Sequence, residues 1–236
     1  MMIIIALAAA LLPAILLWLY IWKKDPQKEP TSWLVKAVLW GVAAVFLVTP
    51  FELGIQFLLF GEDGGPSNLF GTTLDAFLVA ALPEESVKLL VLWLVLRKNP
   101  YFDEHYDGIV YAVSVGLGFA ALENVFYVIG DEDWMLVAIS RALLAVPGHY
   151  AFAVLMGYFY SVYHFVDRSS KVRYSILFVP VLAHGIYDSL VMSFQLSPYI
   201  VLISLPVLIW FCVKLQKEAK KKVVAMIEKD SEGGVA

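Results

Sequence analysis

Two adjacent glutamates and a lysine interrupt an otherwise apolar stretch of this sequence. Glu84 and Glu85 are followed by Lys88, at spacings of four and three residues. Residues three or four apart meet on one face of a helix, so Lys88 can pair with either carboxylate. If Lys88 neutralises one glutamate, the other is free to accept a proton as a general base. The spacing therefore predicts an acid–base centre on this segment.

Other apolar stretches also contain polar side chains of catalytic or metal-binding types. His184 and Asp188 are one helical turn apart, so the carboxylate can orient the ring or share a ligand with it. The alternative is that each polar group forms a structural ion pair between helices. The polar residues that lie within the apolar stretches include Glu52, Glu84, Glu85, Lys88, Glu123, Asn124, Arg141, His149, His184 and Asp188.

The sequence around these residues is that of a membrane protein. Of the 236 residues, 61% are hydrophobic and 16% charged, with a mean hydropathy of +0.77. Apolar blocks of about 18 residues or more predict membrane-spanning helices. We therefore expect an all-α, polytopic transmembrane bundle over residues 1–215, which excludes a soluble enzyme. The seven predicted spans are Met2–Trp22, Trp33–Phe60, Thr72–Arg97, Asp107–Ile129, Trp134–Phe165, Tyr174–Phe194 and Pro198–Leu215.

The charges between the spans predict their orientation. Lysines and arginines follow spans one, three, five and seven, whereas the intervening loops carry Glu62, Asp63 and Asp131–Asp133 and no basic residue. Because positively charged loops stay in the cytoplasm, the N-terminus is predicted outside and the C-terminus inside. Residues 216–236 then form a basic cytoplasmic tail.

With this orientation, polar groups of different spans lie at similar depths, because each helical residue rises 1.5 Å. A charged side chain facing lipid costs about 2.5–3.5 kcal/mol, so these groups should face one another or water in one cavity that opens outward. Pro83 and Pro147 each remove a backbone hydrogen bond, and they should therefore loosen the two helices that carry them beside this cavity. The residues near the middle are Glu84, Glu85, His149 and His184, and those nearer the outer surface are Glu123, Asn124 and Asp188.

Some partners and cofactors are excluded by composition. A net charge of −4 argues against nucleic acid, because binding to phosphates needs a basic face. Cys212 is the only cysteine, so one chain can build neither a disulfide nor a cysteine-ligated zinc site.

The motifs on successive spans resemble those of a known family. Glu84, Glu85 and Lys88 fit E-E-x-x-K, and Phe119–Asn124 fits F-x-x-x-E-N. The next spans carry His149 and then His184–Asp188, which fits H-x-x-x-D. In this order they resemble the PrsW family of intramembrane proteases, distant relatives of the CAAX prenyl proteases. The resemblance covers roughly residues 72–194, the expected catalytic core.

The resemblance implies a multi-pass endopeptidase of the bacterial plasma membrane. Its implied partners are the lipid bilayer and a single-pass membrane substrate of the anti-sigma factor type, which it would cut first on the extracytoplasmic side. The implied catalytic residues are Glu84, Glu85, Glu123, His149 and His184. Lys88, Asn124 and Asp188 would orient them or balance their charge.

Two mechanisms are compatible with these residues. In the preferred one, which needs no cofactor, Glu84 activates a water molecule while Glu123 and His184 order it and hold the oxyanion. In the other, zinc is bound and its water attacks the substrate with a glutamate as base, although no H-E-x-x-H is present. The candidate metal ligands are His149, His184, Glu84 and Asp188.

Two other functions are alternatives. A CAAX-type prenyl protease is less favoured, because that branch has arginine and histidine where this chain has Lys88 and Glu123. A proton-coupled transporter is the second alternative, since glutamate, histidine and lysine inside a membrane also form proton relays. The odd number of spans and the lack of an internal repeat argue against it.

Overall fold

The computed structural model describes residues 2–62 and 64–233, and within them it is a bundle of α-helices without strands, which confirms the predicted fold class. Seven helical runs stand at the places of the seven predicted spans; the predicted acidic loop residue Asp63 lies outside the described residues. The helices are α1 (Met2–Lys24), α2 (Thr31–Phe60), α3 (Leu69–Leu74), α4 (Leu82–Leu96), α5 (Asp107–Ile129), α6 (Trp134–Ser140), α7 (Val146–Ser161), α8 (Ser170–Met192) and α9 (Pro198–Gly233).

Six of the seven runs are long and apolar enough to cross a membrane. The third run, residues 69–96, differs because every 18-residue window in it contains at least three charged residues. It nevertheless packs among α2, α5 and α8, inside the bundle. The residues that make this run polar are Asp75, Glu84, Glu85 and Lys88.

Two helical runs widen into π-helix just before the predicted site residues. The π segments Asp75–Ala81 and Arg141–Ala145 end one residue before α4 and α7, whose second residues are Pro83 and Pro147. Proline donates no N–H and its ring clashes with the carbonyl four residues earlier, and a widened turn relieves both problems. The predicted loosening of these helices therefore takes the form of a π turn in each.

Helix α5 lies at the centre of the bundle, packed against α1, α2 and α7. Glycines allow its closest contacts. A Cβ atom added to Gly118 would lie 2.3 Å from the carbonyl oxygen of Val38 on α2, and one added to Gly157 on α7 would lie 2.3 Å from that of Gly108. These approaches hold α2 and α7 directly beside α5.

Replacing Gly157 with alanine is expected to destabilise the protein by about 1–3 kcal/mol or more, because the new methyl group would meet α5 backbone atoms that cannot rotate away. Gly54→Ala on α2 is the matched control, since no heavy atom would lie within 4 Å of its Cβ. The measurement is the thermal unfolding midpoint of the purified protein in detergent. Equal midpoints for the two variants would contradict this helix contact.

The predicted cytoplasmic tail continues α9 as one helix to Gly233, and residues 234–236 lie outside the described residues. One side of this extension packs on the bundle, where Met226 is buried. Further along, the Asp230 carboxylate accepts a hydrogen bond of 2.8 Å from the backbone N–H of Tyr106, at the start of α5. The lysine-rich composition of the tail did not reveal this packing.

Reporter fusions are expected to place residues 28 and 168 in the cytoplasm and residue 133 on the outer side, because the basic loops should remain inside. The measurement compares a reporter active only in the cytoplasm with one active only outside. A cytoplasmic signal at residue 133 would reverse the orientation, and with it the side from which a substrate reaches the site.

Candidate active site

The first turn of α4 places both adjacent glutamates in the bundle interior, where one lysine bridges them. Lys88 Nζ lies 2.8 Å from Glu84 Oε2 and 2.9 Å from Glu85 Oε1. The two glutamates differ in exposure to solvent: 8% of the Glu84 side chain is exposed, but only 1% of the Glu85 side chain. Glu84 Oε1 accepts no hydrogen bond from the described residues. Glu84 is therefore the carboxylate better placed to meet a water molecule.

Helix α8 brings a histidine to this pair from the other side. His184 Nδ1 lies 2.9 Å from Glu85 Oε1, and its Nε2 lies 3.1 Å from Asp188 Oδ2. The ring also stacks on Phe152, with centroids 4.7 Å apart and planes 20° from parallel. Contacts at both nitrogens and on one face fix the orientation of this imidazole.

Helix α7 contributes a second histidine, which connects the glutamate pair to α5. His149 Nδ1 lies 3.3 Å from Lys88 Nζ, and its Nε2 lies 2.8 Å from Glu123 Oε2. Because the Glu123 carboxylate lies at Nε2, the tautomer that carries its proton on Nε2 leaves the lone pair of Nδ1 facing Lys88. The rings of His149 and His184 have centroids only 5.2 Å apart. Side chains of α4, α5, α7 and α8 thus meet in one cluster, as their depths suggested.

Arg141 was not among the predicted site residues, but it extends this network toward α1. Its Nη2 lies 3.0 Å from Glu123 Oε2, and its Nε donates a hydrogen bond of 2.6 Å to Asn124 Oδ1. The Asn124 amide in turn donates to the carbonyl oxygen of Ala10 at 2.6 Å. The sequence did contain a signal for this role, because an arginine inside a predicted span is costly unless a polar or charged partner contacts it. Its position eight residues before His149 puts it within reach of the same neighbours.

Glu52 is a further carboxylate beside the cluster. It is half-buried on α2, close enough to Glu84 and Glu123 for their charges to act on it. Among the described residues it has neither a hydrogen-bond partner nor an ion-pair partner. The sequence placed it in a span without assigning it to the site.

The four motifs therefore lie on four helices and converge in space. A family model described as "PrsW family intramembrane metalloprotease" matches residues 29–213, which is most of the chain. The chain belongs to the PrsW family. The resemblance drawn from the motifs is thereby confirmed, and the chain is an intramembrane protease, a hydrolase of peptide bonds, in the bacterial cell membrane. This assignment removes the transporter alternative.

Curated PrsW proteases match almost the whole chain. "Protease PrsW" of Geobacillus kaustophilus is 35% identical over 216 residues, covering 91% of this chain and 92% of the relative. That of Bacillus subtilis is 35% identical over 217 residues, covering 91% and 95%. That of Clostridioides difficile is 34% identical over 208 residues, covering 85% of each. No solved structure matches the chain.

Three residues of the buried cluster offer the donor atoms of a catalytic zinc site. One ligand atom each from Glu84, His149 and His184 lie within 4.8 Å of one another. Three protein ligands with one position left for water is the usual composition of catalytic zinc sites. Asp188, which the sequence offered as a fourth candidate, is not in this set and instead contacts His184.

The partners of the two imidazoles also suit zinc. Zinc-binding histidines usually donate their second ring nitrogen to a carboxylate or carbonyl, which fixes the tautomer. Glu123 and Asp188 occupy those positions, at the Nε2 atoms of His149 and His184. In the structure, the Lys88 ammonium is the positive charge that contacts Glu84 and His149.

Proposed function

We propose that this PrsW-family protease makes the first cut in a single-pass, membrane-anchored regulatory protein of the anti-sigma factor type, on its extracytoplasmic side. The observation that carries the proposal is the buried cluster in which Lys88 joins Glu84, Glu85 and His149. Such a cluster within a membrane bundle suits hydrolysis of a peptide bond that enters from the bilayer. The predicted depths of Glu123 and Asp188 favour access from the outer side.

In this proposal Glu84 is the general base. Its free oxygen accepts a proton from a water molecule, whose oxygen attacks the carbonyl carbon of the scissile bond. The carbon–nitrogen bond then breaks, and the proton held by Glu84 passes to the leaving amine. The products are a carboxylic acid and an amine, so one water is consumed for each cut.

The neighbouring residues prepare the site for this step. The Lys88 ammonium, held by both glutamates, can stabilise the negative charge that develops on the carbonyl oxygen. Glu85 and Asp188 fix His184 from its two nitrogens. Glu123 holds His149 in the same way at Nε2. These contacts exist before substrate binds, which reduces the reorganisation needed during the reaction.

Zinc would be held by Glu84, His149 and His184. When bound, it would supply a water molecule whose pKa is lowered to about 7, and Glu85 would then be the neighbouring carboxylate able to take the proton. The positions of Glu123 and Asp188 on the histidines serve this version as well as the metal-free one.

The zinc version predicts about one zinc ion per chain of purified protein, because three donors with oriented histidines match the composition of a catalytic zinc site. Metal analysis of wild-type protein, His149→Ala and His184→Ala tests this, and both variants should lose the metal. His164→Ala is the matched control, since this exposed histidine lies outside the cluster. Full cleavage activity in protein shown to be free of metal would instead establish the mechanism that uses glutamate alone.

The function itself is tested by co-expressing the protease with a tagged single-pass anti-sigma factor. The expected result is a shortened fragment whose new end, determined by mass spectrometry, lies on the extracytoplasmic side. The fragment should be absent when Glu84 is replaced by glutamine. A cut on the cytoplasmic side, or cleavage that persists in Glu84→Gln, would overturn the proposal.

A further inference from the structure

A groove opens on the side of the bundle away from the cluster, between α4, the end of the α7 run and α8. It encloses about 680 Å³. Leu89, Ile176 and Leu177 are among its apolar wall residues, and Ser86 lines it one residue after the glutamate pair. Its volume is within the range of about 300–1,000 Å³ found for ligand pockets.

One end of this groove is aromatic and positively charged. Arg173 and Trp93 line it, and the guanidinium of Arg97 lies over the Trp93 ring, 4.8 Å from the centroid. Arg168 donates to the backbone carbonyl of His164, another lining residue, at 3.5 Å. None of the three arginines forms an ion pair with a carboxylate of the described residues. Their charge is available to an external anion.

We propose that this groove, which we call the α4–α8 groove, binds an anionic phospholipid of the inner leaflet. The arginines follow spans three and five, whose ends are predicted to face the cytoplasm. Basic pockets between transmembrane helices on that side bind acidic head groups, and aromatic rings favour the membrane interface. The head group would contact Arg97 and Arg173, and an acyl chain would lie along Leu89 and Leu177.

Charge distinguishes this occupant from the transmembrane helix of a substrate. The cytoplasmic flank of a single-pass protein is usually basic, so the arginines of the groove would repel it. A phosphodiester is attracted by the same arginines, and its acyl chains match the apolar wall. The groove therefore favours lipid over peptide.

Lipid in the α4–α8 groove would contact the outward side of the helix that carries the catalytic glutamates. Ser86 and Leu89 line the groove, whereas Glu85 and Lys88 on the same turns face the bundle interior. A bound acyl chain would thus pack behind the proposed acid–base centre and restrain α4. This role is independent of the substrate proposed above.

Native mass spectrometry of the full-length protein in neutral detergent tests the proposal, with titrations of phosphatidylglycerol and phosphatidylcholine. Phosphatidylglycerol should bind at least about tenfold more tightly, since two arginines act on its head group. The double variant Arg97→Gln/Arg173→Gln should remove this preference. Lys23→Gln/Lys24→Gln is the matched control, because it removes two exposed cations of the same predicted face but outside the groove, and it should keep the preference.

A second variant tests the apolar part. Leu177→Trp should fill the groove and weaken phosphatidylglycerol binding, while the unfolding midpoint without lipid shows that the variant is folded. Equal binding of the two lipids, or equal loss of preference in both charge variants, would overturn the proposal. Glycerol phosphate binding as tightly as the lipid, or displacement of lipid by an apolar transmembrane peptide, would overturn it too. Each measurement is one of binding, so it holds whether or not the cleavage proposal survives.

Discussion

Cleavage of the co-expressed substrate is expected to fall by about 10²–10⁴-fold when Glu84 is replaced by glutamine, which is the usual contribution of a general base. The amide keeps the shape of the side chain and can still accept a hydrogen bond from Lys88, but it cannot take a proton from water. The loss should therefore appear in the rate of cutting, with little change in expression or in the unfolding midpoint. Cleavage is measured as fragment formed per unit of protease in isolated membranes.

Glu85→Gln provides the internal comparison. Its carboxylate is buried and contacts both Lys88 and His184, so its replacement disturbs the position of two neighbours and not the proton transfer itself. A smaller loss of about 10–100-fold is expected, as for other residues that orient a catalytic histidine. Asp131→Asn, in an exposed loop, controls for the loss of a carboxylate as such. Near-normal cleavage by Glu84→Gln together with abolished cleavage by Glu85→Gln would exchange the two assignments.

The sequence predicted the helical spans because hydrophobic length is a local property. Each span appears as a helical run, and the third run is polar because it carries Glu84, Glu85 and Lys88. The motifs also identified the family. These predictions depend on residues close together in the chain, where spacing alone determines which side chains share a helix face.

Contacts between helices could be predicted only in part. Depth placed His149, His184 and Glu84 at similar levels, but the packing angles that bring three helices together depend on backbone approaches such as that at Gly157. The pairing of Asp230 with the start of α5 joins residues more than a hundred positions apart, and no pattern in the tail signals it. Arg141 and Glu123 also lie on different helical runs, so the need of Arg141 for a partner could be predicted but the identity of that partner could not.

Stability is expected to fall by about 3–5 kcal/mol when Arg141 is replaced by glutamine, because breaking one side of a buried ion pair leaves the other charge uncompensated. Arg141 and Glu123 are only 14% and 19% exposed, and their charged atoms lie 3.0 Å apart. The single variant leaves the Glu123 carboxylate inside the bundle with His149 as its remaining partner. Lys171→Gln, at the exposed start of α8, is the control for the loss of a positive charge and should leave the unfolding midpoint unchanged.

The double variant Arg141→Gln/Glu123→Gln separates stability from catalysis. It removes both charges, while the amide oxygen at position 123 can still accept a hydrogen bond from the Nε2–H of His149. Most of the lost stability should therefore return. Cleavage should remain about 10–100-fold below wild type, because a neutral amide holds the imidazole less strongly than a carboxylate does. If the double variant unfolds as readily as Arg141→Gln alone, the stabilising contact of Arg141 is instead its hydrogen bond to Asn124, which ties α5 to α1 through Ala10.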